Sequence, residues 1–226
     1  MSQIVCENLS FGYGSNLLAE NLNFSVNAGD YLCVIGENGS GKSTLIKILL
    51  GLKAPDSGRI ILNGIAKNEL GYLPQQTEMQ KDFPASVYEV VISGCQGRCG
   101  LRPFYKREEK NLAHEAMNKM NIQNLAGRCY RELSGGQQQR VLLARAFCAS
   151  RKAIILDEPV AGLDYESSHE MYRIIHDMNH NGMTVIMISH DTHESLRHST
   201  HVLRMTRNMN EKIFFGSKEE FLNHDC

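Results

Sequence analysis

Eight residues, Gly36-Glu-Asn-Gly-Ser-Gly41-Lys42-Ser43, carry the spacing G-x-x-x-x-G-K-[ST]. Glycines in that pattern let the backbone bend until successive N–H groups point at phosphate oxygens. A helix starting near Lys42 adds its positive N-terminal end to the same anion. In such a cradle Lys42 reaches the β- and γ-phosphates of a nucleotide, and the Ser43 hydroxyl ligates Mg²⁺. A chance glycine turn is the competing reading. The setting argues against it, because the pattern lies between an expected strand (Tyr31 to Ile35) and an expected helix (Lys42 to Leu52).

The second chemical group is a pair of acids. Ala153-Ile-Ile-Leu156 is wholly apolar and runs straight into Asp157-Glu158. A buried strand that delivers two carboxylates at its C-terminal edge sets them beside the phosphate loop of a parallel sheet. Asp157 then suits the Mg²⁺ shell, and Glu158 can polarise an attacking water. Taken alone, the same stretch reads as a solvated loop after a core strand.

Elements must hold these groups in place. Short β-type runs open the chain at Ile4 to Leu9 and Leu22 to Val26, and further strands are expected at Gly58 to Leu62 and Leu70 to Leu73. From about Phe83 to Arg131 the pattern turns helical, with segments near Val87 to Ile92 and Glu108 to Met120. A helix from Gln137 to Ala149 precedes the strand that ends at Leu156. The next helix, Tyr165 to His180, spaces Met171, Ile174, Ile175 and Met178 as a core-facing stripe. Strand Thr184 to Ile188, helix Asp191 to Arg197 and strand Val202 to Met205 follow, and Ser217 with Glu220 predicts a capping box for a last helix. Strands alternating with helices indicate a parallel sheet covered on both faces, interrupted by an inserted helical subdomain.

Composition narrows the classes. The chain has 226 residues, 24 Lys plus Arg against 25 Asp plus Glu, 42% hydrophobic and 22% charged residues. That balance excludes a disordered chain and lacks the basic footprint of a dedicated nucleic-acid binder. Its longest apolar runs are too short to span a bilayer, and Met1-Ser-Gln-Ile shows no signal-peptide pattern, so a cytosolic chain is expected. Seven scattered cysteines read as buried apolar groups in a reducing compartment.

Leu133-Ser-Gly-Gly-Gln137 followed by Gln138-Gln-Arg140 gives the sequence its family likeness. The chain resembles the nucleotide-binding subunit of an ABC transporter over essentially its whole length. The motifs stand in the family's order: the P-loop, Tyr72-Leu-Pro-Gln75, the 133–137 signature, Ile154-Ile-Leu-Asp157-Glu158, Ala161-Gly-Leu-Asp164, and His190 within Ser189-His190-Asp191. Tyr13 in Phe11-Gly-Tyr13-Gly14 falls where the family stacks an aromatic ring on adenine. The resemblance implies an α/β P-loop NTPase core, an N-terminal antiparallel β-subdomain and an α-helical subdomain inserted at about 77–132. All of it would form one ABC ATPase domain over 1–226.

The resemblance also implies the site. ATP would lie on Tyr13, Gly36, Glu37, Asn38, Gly39, Ser40, Gly41, Lys42, Ser43 and Thr44, with Mg²⁺ on Ser43, Gln75 and Asp157. Glu158, His190 and Gln75 would be the catalytic set, although a shift of one to Gln76 stays open. Ser134, Gly135, Gly136 and Gln137 would close over ATP held by a second copy, and Asp164 would contact that copy. The implied partners are that copy, head to tail across ATP, and an integral membrane permease on whose cytoplasmic face the chain sits. An extracellular substrate-binding protein joins indirectly, and no nucleic acid is involved.

Asp82-Phe-Pro-Ala-Ser-Val87-Tyr-Glu-Val-Val91, Arg140-Val-Leu-Leu-Ala-Arg145 and Lys212-Ile-Phe-Phe-Gly216 resemble the zinc/manganese importer branch. The alternatives are a siderophore or cobalamin importer and a soluble, non-transport ABC ATPase. Three further groups have weaker readings. Cys95 with Cys99, and His190 with His193, His198 and His201, read either as metal or redox groups or as ordinary core and surface residues. Arg98, Arg102, Lys106 and Arg107 form a basic patch that suits a permease, lipid headgroups or plain solvent.

Overall fold

Two long strands, β1 (Ser2–Tyr13) and β2 (Asn16–Asn27), open the computed structural model, which describes residues 2–14, 16–66, 69–75, 82–100, 102–190, 192–208 and 211–224. β3 (Tyr31–Gly36), α1 (Lys42–Leu49), β4 (Ser57–Leu62) and β5 (Leu70–Leu73) follow. The middle is helical, with α2 (Val87–Ser93), the single turn α3 (Gln96–Cys99) and α4 (Arg107–Lys119). Next come α5 (Gly135–Ala149), β6 (Ala153–Asp157), α6 (Tyr165–His180) and β7 (Thr184–Ile188). The chain closes with α7 (Thr192–Arg197), β8 (His201–Met205), β9 (Phe214–Ser217) and α8 (Lys218–His224). It divides into two compact units, one made of Met1–Lys67 with Asn179–Cys226 and the other of Asn68–Met178.

In the first unit β1 lies between β2 and β4, antiparallel to both, with Ile4 opposite Val26 and Leu62. This is the expected antiparallel β-subdomain. β3 runs parallel to β7 and β8, and every residue from Tyr31 to Ile35 and from Thr184 to Ile188 is buried. Continuous burial explains why these strands read as unbroken apolar runs. Cys33, Ile35, Val202 and Phe221 pack together, with Leu196 and Phe214 against them.

The sheet is not purely parallel, as the strand–helix alternation had suggested. β9 was not anticipated, and it pairs antiparallel with β8, His201 opposite Ser217. The connection, 206–213, is shorter than the dozen or so residues that a parallel crossover needs. Helix α1 also stops at Leu49, short of the expected Leu52. Leu52 N–H donates to the Lys47 carbonyl at 2.7 Å and Gly51 N–H to the Ile48 carbonyl at 2.9 Å, the two bonds of a Schellman stop.

In the second unit β5 and β6 pair in parallel from Leu70 opposite Ala153 to Leu73 opposite Leu156. Helices α2 and α4 pack on α5, burying Val87 and Val91, Ala113 and Met117, and Val141 and Leu143. The stripe expected on α6 is buried as read: Met171, Ile174, Ile175 and Met178. The capping box of α8 forms, with Ser217 N–H donating to Glu220 at 2.7 Å and Glu220 N–H donating to the Ser217 hydroxyl at 3.2 Å.

Candidate active site

The phosphate loop leaves β3 at Gly36 and enters α1 through Gly41, its N-cap, at φ 101°. A Cβ on Gly36 would stand 2.2 Å from the Met205 carbonyl oxygen, so only glycine lets the loop turn there. Lys42 is buried, and its Nζ donates to the carbonyls of Gly36 at 2.7 Å and Glu37 at 2.8 Å. The ammonium thus bends back over the loop. Ser40 is fully buried, and its hydroxyl finds no hydrogen-bond partner among the described residues. No acid occupies the first turn of α1. Spare donors, a cation and an uncompensated helix N-terminus fit the phosphates of a nucleotide.

Tyr13 ends β1 and is 54% exposed. Lys53 Nζ stands 5.2 Å from the ring centroid, and the Thr44 hydroxyl reaches the Tyr13 hydroxyl at 3.5 Å. Glu37, Asn38, Gly39 and Ser43 face solvent. His190 is exposed two residues past Ile188, and Gly36 lies two residues past Val34, the partner of Ile188. Strand register therefore brings His190 and the loop to the same edge of the β3–β7 pair.

The second unit carries the carboxylates. Asp157 closes β6 and is 7% exposed. Tyr72, on the paired strand β5, hydrogen-bonds to it, and burial together with the Asp157 charge pushes the phenol up to about 12. Tyr72 therefore stays a proton donor to Asp157. Glu158 has φ 51°, a left-handed conformation that costs a glutamate about 1–3 kcal/mol. The fully buried Ile154, Ile155 and Leu156 before it contribute about 1.5–3 kcal/mol each, which outweighs that strain. The turn aims Glu158 at Gln75, whose Nε2 donates to Oε2 at 2.9 Å. A buried carboxylate and neighbouring hard oxygen donors are the chemistry that Mg²⁺ takes.

The signature lies at the start of α5, and here the expected helix begin is corrected. The helix starts at Gly135 rather than Gln137, so both signature glycines sit in its first turn. Ser134 is the N-cap: its hydroxyl accepts from Gln137 N–H, while Gln137 Oε1 accepts from Ser134 N–H at 3.1 Å. A Cβ on Gly136 would stand 2.6 Å from the Ser167 hydroxyl, so glycine permits the close approach of α6. Asp164 accepts from Ser167 N–H at 2.8 Å and from its hydroxyl at 2.9 Å, capping α6. Those donors hold the Asp164 carboxyl below the usual aspartate range.

The family model for ABC transporters matches residues 19–161, more than half of the chain. The chain belongs to the ABC transporter family. The manganese transport system ATP-binding protein MntB of Bacillus subtilis is 34% identical, covering 97% of this chain and 88% of that protein. The zinc uptake system ATP-binding protein ZurA of Listeria innocua is 33% identical, covering 99% and 90%. Among solved structures, cbiO1 of Clostridium perfringens, part of the ABC transporter complex cbiONQ, superposes with a TM-score of 0.84 at 25% identity over 99% of this chain. The ABC fold and its ATP-binding, ATP-hydrolysing class follow from that membership.

Within this ABC subunit the first unit holds Tyr13, 36–44 and His190, and the second holds Gln75, 134–137, Asp157, Glu158 and Asp164. Gln76, Asp191 and the side chain of His193 lie outside the described residues. Cys95 and Cys99 are buried, their thiols directed at the carbonyls of Glu109 and Cys95. His201 stacks on Phe215 and approaches Asp30 at 3.7 Å. Three contributors were missed from sequence: Lys53 over Tyr13, Tyr72 on Asp157, and Ser167 between Gly136 and Asp164. Only Tyr72 had a signal, its place three residues before Gln75 at the end of an apolar strand.

Proposed function

We propose that this chain is the motor subunit of an importer for divalent metal ions, with zinc or manganese as cargo. One observation carries the reading: manganese and zinc transport ATP-binding proteins are 33–34% identical over nearly the full length of both chains. The subunit acts from the cytoplasmic face of the membrane, and the cargo passes through a separate permease. No helix among the described residues is long and apolar enough to cross a membrane.

Each residue has a role in this reading. Tyr13 stacks the adenine, the amides of 36–41 and the α1 N-terminus bind phosphate oxygens, and Lys42 moves its ammonium from the Gly36 and Glu37 carbonyls to the β- and γ-phosphates. Ser43 of the first unit and Gln75 and Asp157 of the second are the residues that would ligate Mg²⁺, which when bound would neutralise phosphate charge. Tyr72 orients Asp157. Glu158 takes a proton from the attacking water, held in place by the Gln75 amide, and His190 donates to the γ-phosphate. Ser134–Gln137 present a second capped helix N-terminus to ATP on a second copy arranged head to tail, and Asp164 meets that copy.

The permease docks in a groove of about 630 Å³ in the second unit, lined by Pro74, Phe83, Pro84, Tyr130, Leu142 and Arg145. Phe83 is 56% exposed there. Pro74 adjoins Gln75, so a shift of the permease is passed to the residue that holds the base.

The test is a deletion strain grown under metal chelation. Growth falls and recovers with added zinc or manganese, not with haem or cobalamin. Unchanged metal uptake in that strain, with no redundant importer present, refutes the cargo and leaves the ATPase assignment standing.

A further inference from the structure

A basic pocket of about 330 Å³ opens on the second unit at the start of α4. Arg98, Arg102, Lys106 and Arg151 line it, against the carboxylates of Glu108 and Glu109. Glu109 is already satisfied: Arg102 Nη2 lies 2.7 Å from its Oε1, and the Lys106 N–H donates to its Oε2. Arg151 is engaged by Glu115 at 2.7 Å. Among the described residues Arg98 and Lys106 form no ion pair, and Arg102 Nη1 is buried with no hydrogen-bond partner. Although Arg98 Nη2 also donates to the Ala149 carbonyl at 3.4 Å, the exposed Arg98 and Lys106 leave the pocket with net positive charge, a setting for an oxyanion.

A second observation selects the source of that oxyanion. Phe104 stands 81% exposed on the 102–107 segment, Arg-Pro-Phe-Tyr-Lys-Arg, with pocket cations on either side of it. Its neighbour Tyr105 is half-buried. An exposed ring among cations matches the bilayer interface, which offers phosphate to the charges and the acyl boundary to the ring. We infer that the Arg98–Arg102–Lys106 pocket binds the phosphate headgroup of an anionic phospholipid, with Phe104 entering the membrane interface beside it. This contact needs neither ATP nor the metal assignment.

Co-sedimentation of the full chain with phosphatidylcholine vesicles, with and without phosphatidylglycerol, tests it. Binding requires phosphatidylglycerol and weakens as salt rises. Arg98→Gln with Lys106→Gln removes two charges and lowers vesicle binding roughly 30-fold, at about fivefold per charge. Phe104→Ser lowers it too but leaves the salt dependence in place. Both variants keep wild-type ATPase activity and Tm, which separates lost binding from unfolding. Equal vesicle binding by wild type and variants overturns the inference. So does saturable binding of inorganic phosphate or glycerol phosphate without vesicle binding, which makes the pocket a free-phosphate site. Loss of permease association by the charge variant with unchanged vesicle binding also overturns it, in favour of a protein contact.

Discussion

Gln75 and Glu158 each lie two residues beyond the Leu73–Leu156 strand pair, and their side chains meet at 2.9 Å. Glu158, the proposed base, is therefore held by a residue that follows the neighbouring strand, and a shift of β5 against β6 would separate them. Glu158→Gln keeps the shape and a hydrogen bond to Gln75 but removes the carboxylate charge. ATP hydrolysis falls about 10²–10⁴-fold while ATP binding survives. Size-exclusion chromatography then shows an ATP-stabilised dimer. A wild-type hydrolysis rate in this variant removes Glu158 from the role of base.

In the proposed function Tyr13 and Lys42 divide nucleotide grip from chemistry. Tyr13→Ala removes base stacking worth roughly 1–3 kcal/mol, so KM for ATP rises with kcat less affected. Lys42→Ala lowers both binding and kcat, because the ammonium meets phosphate charge in ground and transition states alike. Titration of a fluorescent ATP analogue checks the split, and unchanged affinity in Tyr13→Ala counts against the stacking role.

Gly136→Ala forces a methyl group to 2.6 Å from the Ser167 hydroxyl and 2.9 Å from its Cβ. Overpacking of that kind costs about 1–3 kcal/mol and lowers Tm by several degrees. Adding Ser167→Gly restores part of the loss. If Gly136→Ala melts with the wild type, the close approach of α5 and α6 is absent in solution.

Asp164 gives a pH signature. Its carboxyl is depressed because the Ser167 N–H and hydroxyl donate to the charged form. Its stabilising effect is present above the ordinary aspartate pKa and is lost as pH falls through the depressed one. Asp164→Ala therefore lowers Tm at neutral pH, and the gap from wild type narrows in acid. A gap that stays constant down to the acid limb means that Asp164 does not cap α6.

Local pattern was enough to place much of this protein. Helix Tyr165–His180 and strands Leu70–Leu73 and Thr184–Ile188 stand where apolar periodicity put them, because burial of one stripe or one run is written into adjacent residues. The phosphate loop and the acids after Leu156 were legible for the same reason, being short contiguous motifs. Tertiary structure alone decided the rest. Gln75 with Glu158, Tyr72 with Asp157, and Gly136 with Ser167 are far apart in sequence and meet only through strand register and helix packing. The antiparallel β9 was set by a connection too short to cross over, and the start of α5 by a cap whose partner is a side chain. Lys53 reached Tyr13 only because the Schellman stop after α1 turned the chain back. Local periodicity records which face of an element is buried, but not which distant residue it is buried against.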